Sequence, residues 1–363
     1  MASARSSLLS AVFDDHRARL GPKLALLYVV LFGFNVLAWQ WALMAFGDNA
    51  VLLGTALIAY GFGLRHAVDA DHIAAIDNVT RKLMQEGKRP IGVGFFFALG
   101  HSTVVIVAAT VVALTASTLQ QSFPRLLEVG GVIGTSVSAL FLFAIAAINV
   151  VVLTAVYRLL RRVRRGGSAD DAELNAFLAQ RGLLGRVFRR VFRLVSRSWH
   201  MYPLGFLFGL GFDTATEIAL LGVAASEAVH GLSLSSVLVF PVLFTAGMSL
   251  VDTTDGALML GAYGWAFVNP LRKLYYNLTI TAVSVVVAIV IGGIETLGLL
   301  SDKLSLDGGF WLWRAVDAAS DNFGLFGYVI VAVFAASWLV SYAIYRVMGG
   351  KMPATSGANP TPR

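Results

Sequence analysis

Gly63-Leu-Arg-His-Ala-Val-Asp-Ala-Asp-His-Ile-Ala-Ala-Ile76 places Arg65, His66, Asp69, Asp71 and His72 inside a segment, 51 to 77, that is otherwise apolar enough to cross a bilayer. Ionisable groups are expensive there. Each Asp or Arg at a helix centre costs about 2.5 to 3.5 kcal/mol on insertion, so Arg65, Asp69 and Asp71 together cost on the order of 8 kcal/mol. A bound cation is the first candidate for offsetting that cost.

The rest of the chain supports a membrane setting. Hydrophobic residues make up 57% of the sequence and charged residues only 13%, far from the balance of soluble domains. A spanning helix needs about 20 apolar residues. Such windows fall at 24–46, 51–77, 92–118, 130–157, 202–226, 234–262, 274–300 and 324–346, which predicts an all-α polytopic membrane protein with eight transmembrane helices. An even number puts both termini on one face. The amino tail, the 78–91 and 158–201 loops, the 263–273 loop and the carboxyl end from Arg346 hold 4, 4, 11, 2 and 3 Lys and Arg, whereas the opposite face holds only Arg125, Lys303 and Arg314. Basic loops face the cytoplasm, so both termini are expected there, in a multi-pass protein of the cytoplasmic membrane.

The expected organisation is a cytoplasmic tail (1–23), a four-helix half (24–157), a basic loop (158–201), a second four-helix half (202–346) and a cytoplasmic tail (347–363). The halves show faint self-similarity. Phe97-Ala-Leu-Gly-His-Ser102 resembles Phe244-Thr-Ala-Gly-Met-Ser249, and Gly63-Leu64 with Asp71 lines up with Gly209-Leu210 and Glu217, at an offset of 146 to 147 residues. Division into four plus four predicts parallel repeats. Trp311 and Trp313, in the outward segment 301–322, are expected at headgroup level.

Several classes are excluded. The net charge of +7 comes from basic residues gathered in connecting loops, the pattern of membrane topology and not of nucleic-acid binding. There is no cysteine, hence no disulfide framework and no thiolate metal site. No Gly-x4-Gly-Lys-Ser/Thr phosphate loop occurs, so no ATPase function is expected of this chain. The first twenty residues lack the pattern of a removable signal peptide.

Polar residues recur in four of the apolar segments. On a regular helix His66, Asp69 and His72 step around one face while Asp71 points away. Either neighbouring helices supply partners, or Gly61, Gly63 and the polar run mark a break that lets the groups converge. Counting about 1.5 Å per residue from Val51, His66 lies about 22 Å deep, and His101 on the third helix lies about 14 Å from the cytoplasmic end. Gly209-Leu-Gly-Phe-Asp-Thr-Ala-Thr-Glu217 carries Asp213 and Glu217 four residues apart, and Gly247-Met-Ser-Leu-Val-Asp-Thr-Thr-Asp-Gly256 carries Asp252 and Asp255 three apart. Like charges at that spacing repel in an apolar medium, and a cation or shared proton relieves them. Imidazole with carboxylate suits a first-row divalent metal without ranking nickel, cobalt, manganese, iron or zinc. The plain structural alternative is an Arg65 ion pair with Asp69 or Asp71, with the histidines hydrogen-bonded between helices.

The string Arg65-His-Ala-Val-Asp-Ala-Asp-His-Ile73 resembles the signature of the nickel/cobalt transporter family, in which His, four residues, then Asp-His fall at His66, Asp71 and His72. Leu-Gly-His-Ser102, Leu210-Gly-Phe-Asp-Thr-Ala-Thr-Glu217 and the Gly247–Gly256 run resemble that family's further motifs, in the same order. The resemblance implies uptake of Ni2+, with Co2+ as a second substrate, by a single-component secondary permease that needs no ATPase subunit and no cofactor. It implies metal contact by His66, Asp71 and His72 with Asn35 assisting. Asp69, His101, Asp213, Glu217, Asp252 and Asp255 would line the path or balance charge, and Asn35 with Val68 would set the preference for nickel. A transporter of another divalent metal, or an intramembrane metal-dependent enzyme, would use similar ligands; no His-Glu-x-x-His pair accompanies them.

Overall fold

A computed structural model of the chain describes residue 15 and residues 20–115, 123–164, 195–210, 215–266, 270–304, 311–322, 325–333 and 336. Among these there is no strand. The helices are α1 (Leu20–Phe46), α2 (Ala50–His66), α3 (Ala70–Gln85), α4 (Val93–Thr115), α5 (Phe123–Arg164), α6 (Met201–Gly209), α7 (Ala215–Val229), α8 (Leu234–Val237), α9 (Val239–Ala266), α10 (Pro270–Leu304) and α11 (Trp311–Asp321).

Helices prevail because only intra-segment hydrogen bonding satisfies a lipid-embedded backbone. Five helices are long and apolar enough to cross a membrane singly, and two bent pairs, α2 with α3 and α11 with 325–333, raise that to as many as seven. The predicted span 202–226 falls on α6 and the longer α7. The predicted 301–322 connection contains the helix α11, whose Trp311 is exposed.

The predicted second span is the element that positions the site. Asn49 starts α2 by accepting from the backbone N–H groups of Val51 and Leu52, both at 3.1 Å. The helix stops at His66, three residues turn the chain, and α3 begins at Ala70 after a bend of 50°. Asp69 sits extended at the head of α3 and Asp71 occupies its first turn, where the helix dipole favours a carboxylate. Residues 78–85, expected in a cytoplasmic loop, continue α3, and Asn78 through Leu83 are buried.

Glycines allow the spans to touch. A Cβ on Gly94 would overlap Asp252 O, and one on Gly100 would overlap Tyr202 O, so α4 lies backbone to backbone against both α9 and α6. Gly63 is pressed against Phe244 O and Gly205 against Phe97 O in the same manner. Since Phe97 and Phe244 are mates at the sequence offset, the α2–α9 and α6–α4 crossings are two copies of one contact.

Direction corrects the parallel repeat expected from sequence. Phe46 stacks on Phe240 with centroids 5.4 Å apart, so α1 ends and α2 begins near the start of α9. Gly94 lies against Asp252 while Val112 shares a cluster with Val237, so α4 runs against α9; Gly205 and Gly209 lie against Phe97 and His101, so α6 runs with α4. The mates α2 and α6 therefore run oppositely, as do α4 and α9. Among the described residues this relation is therefore inverted.

Replacing Gly63 by Ala is expected to destabilise the protein by about 1–3 kcal/mol through overpacking against Phe244. Gly222→Ala, where the added carbon meets nothing within 4 Å, is expected to be neutral or stabilising. Thermal unfolding in detergent micelles checks both.

Candidate metal centre

The bend between α2 and α3 puts His66 on the last turn of one helix and His72 on the first turn of the next, so both rings face one point. α4 adds His101. One ligand-capable atom from each of the three lies within 4.8 Å of the others, and all three residues are buried. The rings touch edge to face or tilted, with centroids 4.6 to 4.9 Å apart.

Carboxylates from three helices and the bend surround them. His66 Nδ1 is 3.1 Å from Asp69 Oδ2, and His72 Nδ1 is 3.3 Å from both oxygens of Asp252. A proton on each Nδ1 facing its carboxylate leaves the Nε2 lone pairs pointing inward, the arrangement by which outer carboxylates orient metal-binding imidazoles. His72 Nε2 is buried and has no hydrogen-bond partner. His66 Nε2 lies 2.9 Å from His101 Nε2, which in turn lies 2.7 Å from Glu217 Oε1. Two ring nitrogens at that distance share a single proton.

Asp71 precedes His72 on the first turn of α3. Its Oδ1 is buried without a hydrogen-bond partner, and its charge acts directly on His66, His72 and His101. His66, His72 and His101 thus offer three nitrogens around one centre, with Glu217 beside His101 and His66, Asp69 and Asp252 behind the rings, and Asp71 next to His72 on α3. Asp255 Oδ2 is likewise buried and unbonded, and Asp255 interacts electrostatically with both Asp252 and Asp77. Asp213 lies outside the described residues.

Two expected selectivity residues are placed elsewhere. Asn35 donates to Leu31 O at 2.9 Å and Ala246 O at 3.3 Å and accepts from Tyr60 OH at 3.0 Å, and none of these bonds reaches an imidazole. Val68 lies in the bend itself and packs with Ile73, Leu142 and Ile330. Arg65 is exposed, and among the described residues it forms no ion pair with Asp69 or Asp71; it acts on Asp69 only through longer-range charge.

A second polar network was not foreseen. Asp77, fully buried, accepts from Tyr263 OH and from Ser284 Oγ at 2.9 Å. Arg81, also buried, donates to Thr281 Oγ1 and Asn78 Oδ1, each at 2.8 Å, and Asn149 joins Asn78 at 2.6 Å. Asp77 and Arg81 are four residues apart, a spacing that marks neighbours on one helix face. The sequence reading ends the second span at residue 77 and so places Arg81 in a loop, whereas α3 carries it into the buried interior.

The profile of the family described as high-affinity nickel-transport protein matches residues 52–344. The chain is 58% identical over 340 residues to a high-affinity nickel transport protein of Cupriavidus necator, covering 94% of this chain and 96% of that one. It is 45% identical over 314 residues to a high-affinity nickel-transport protein of Helicobacter pylori, covering 86% and 94%. It is also 45% identical over 290 residues to a cobalt transport protein of Rhodococcus rhodochrous, covering 79% and 81%. No solved structure matches the chain.

Removing the carboxylate charge behind an imidazole is expected to weaken metal binding without removing a ligand. Asp252→Asn and Asp69→Asn should each lower the affinity of purified protein for a first-row divalent ion about 10- to 100-fold. Calorimetric titration with Ni2+ and Co2+ measures this.

Proposed function

The chain belongs to the high-affinity nickel-transport protein family, and from that premise we propose that it imports Ni2+ across the cytoplasmic membrane as a single-component permease, not an enzyme. The observation that carries the reading is the convergence of His66, His72 and His101 within 4.8 Å in a buried setting flanked by carboxylates. His66, His72 and Asp71 serve as ligands, joined by His101 and Glu217 from α4 and α7. Asp69 and Asp252 hold the rings and balance the double charge. Asp255 and Asp213 line the path.

The donor chemistry favours this guest. Imidazole nitrogens flanked by carboxylates suit a first-row divalent ion, and the chain has no thiolate to offer. Cobalt shares the preference for imidazole, and one cobalt transport protein is among the relatives, so Co2+ enters as a second, weaker substrate. Asn35 and Val68 act on selectivity through their neighbours, Asn35 by bracing α9 at Ala246 and Val68 by setting the bend between His66 and Asp69.

No ATP is required. A divalent ion moving inward through 100 mV gains about 4.6 kcal/mol, equivalent to more than about a thousandfold accumulation. In this reading both termini and the basic 158–201 loop lie in the cytoplasm, and the site lies between two halves, 24–157 and 202–346.

Cells expressing the chain should accumulate 63Ni at submicromolar metal, and His66→Ala or Asp71→Ala should reduce uptake at least about tenfold, as expected for loss of one ligand. Accumulation no greater in wild type than in both variants would remove the proposal. In the same assay an equal concentration of Co2+ should leave more than half of the 63Ni uptake, whereas equal competition would reject the roles given to Asn35 and Val68.

A further inference from the structure

The histidine cluster is bracketed by two phenylalanines that no transport motif accounts for. Phe244 lies over His66 with centroids 5.4 Å apart and an interplanar angle of 38°. Phe97 meets His72 edge to face at 4.8 Å and 89°, and its centroid is 6.4 Å from that of His101. Both are fully buried. They are mates at the 147-residue offset, and each sits at a glycine crossing of the same form, Phe244 against Gly63 and Phe97 against Gly205.

Their surroundings place them at opposite ends of the centre. Phe244 lies near the start of α9, where Phe240 stacks on Phe46 at the end of α1. Phe97 belongs to the cluster with Leu83, Val93, Val195 and Met201, next to the basic connections. Behind Phe97 the rings continue through Phe208 at 5.3 Å. Inverted repeats place equivalent residues on opposite sides of a central site, and rocking of one element against another then exposes the site to one face at a time.

We infer that Phe244 and Phe97 are the outer and inner gates of the metal site, and that the structure is the state in which both are closed. Each gate acts through the histidines it covers: ring contact fixes the imidazole plane while apolar volume excludes water. Opening needs only a shift at one glycine crossing, because Phe244 moves with α9 against α2, and Phe97 with α4 against α6. The two crossings are separate contacts, so one can open while the other stays shut. The inference rests on the import reading for what the gates enclose.

The cysteine-free chain allows a direct test. Ser249, buried and without a hydrogen-bond partner, lies one helical turn from Asp252 and serves as a Ser249→Cys reporter. The full chain is reconstituted in vesicles of defined orientation and treated from one side at a time with a membrane-impermeant methanethiosulfonate. With both phenylalanines present, labelling is expected to be slow from either side. Phe244→Ala should accelerate it at least about tenfold from the outer face alone, and Phe97→Ala by as much from the inner face alone, the size of a modest shift in an open–closed equilibrium. Phe244→Leu and Phe97→Leu, which keep most of the apolar volume, should show the same sidedness with smaller acceleration, and they report if the Ala variants fail to fold. Acceleration from both faces equally, from the wrong face, or from neither overturns the gates. Ni2+ should slow labelling in every variant; correct sidedness without that protection would keep the gates and overturn the import reading.

Discussion

The structure depends on how seven ionisable side chains can be held out of water at one point. His66, His72 and His101 with Asp69, Asp71, Glu217 and Asp252 meet where α2 breaks, and all but the half-buried Asp71 are buried. An isolated carboxylate in such a place is strongly disfavoured, and hydrogen bonding to neutral imidazoles offsets only part of the cost. In the proposed function a doubly charged ion supplies the rest of the balance.

The break is what makes the cluster possible. On an unbroken helix Asp71 would point away from His66; three turning residues and a 50° bend bring both ends of the interrupted span to the same point. Backbone geometry of this kind is tolerated at membrane depth only where protein covers it. Here the cover comes from a second segment: Gly327 is pressed against Val68 O, leaving no room for a side chain between them.

Much of this was legible in the sequence. Apolar windows indicate the helical membrane class, and the polar run in 63–76 marks two of the three histidines that cluster, since lipid tolerates such groups only for a reason. The alternative of a break or of neighbouring helices resolved as both. Other features depend on three-dimensional placement that residue spacing does not encode. Nothing in the order of residues says that Asn35 spends its amide on Ala246 and Tyr60, or that Asp69 and Asp252 stand behind imidazoles. Arg81 looks like a loop residue because arginine in a membrane segment is rare, yet it is buried against Thr281 and Asn78. The repeat was visible in Phe97 and Phe244, but its sense required knowing at which end each helix starts.

X-ray absorption at the nickel edge on purified, Ni2+-loaded protein tests the central claim most directly. Nitrogen and oxygen in the first shell, with the outer-shell scattering of two or more imidazoles that diminishes in His66→Ala and again in His72→Ala, is the predicted spectrum. A spectrum of hydrated nickel, unchanged by either substitution, would contradict the account.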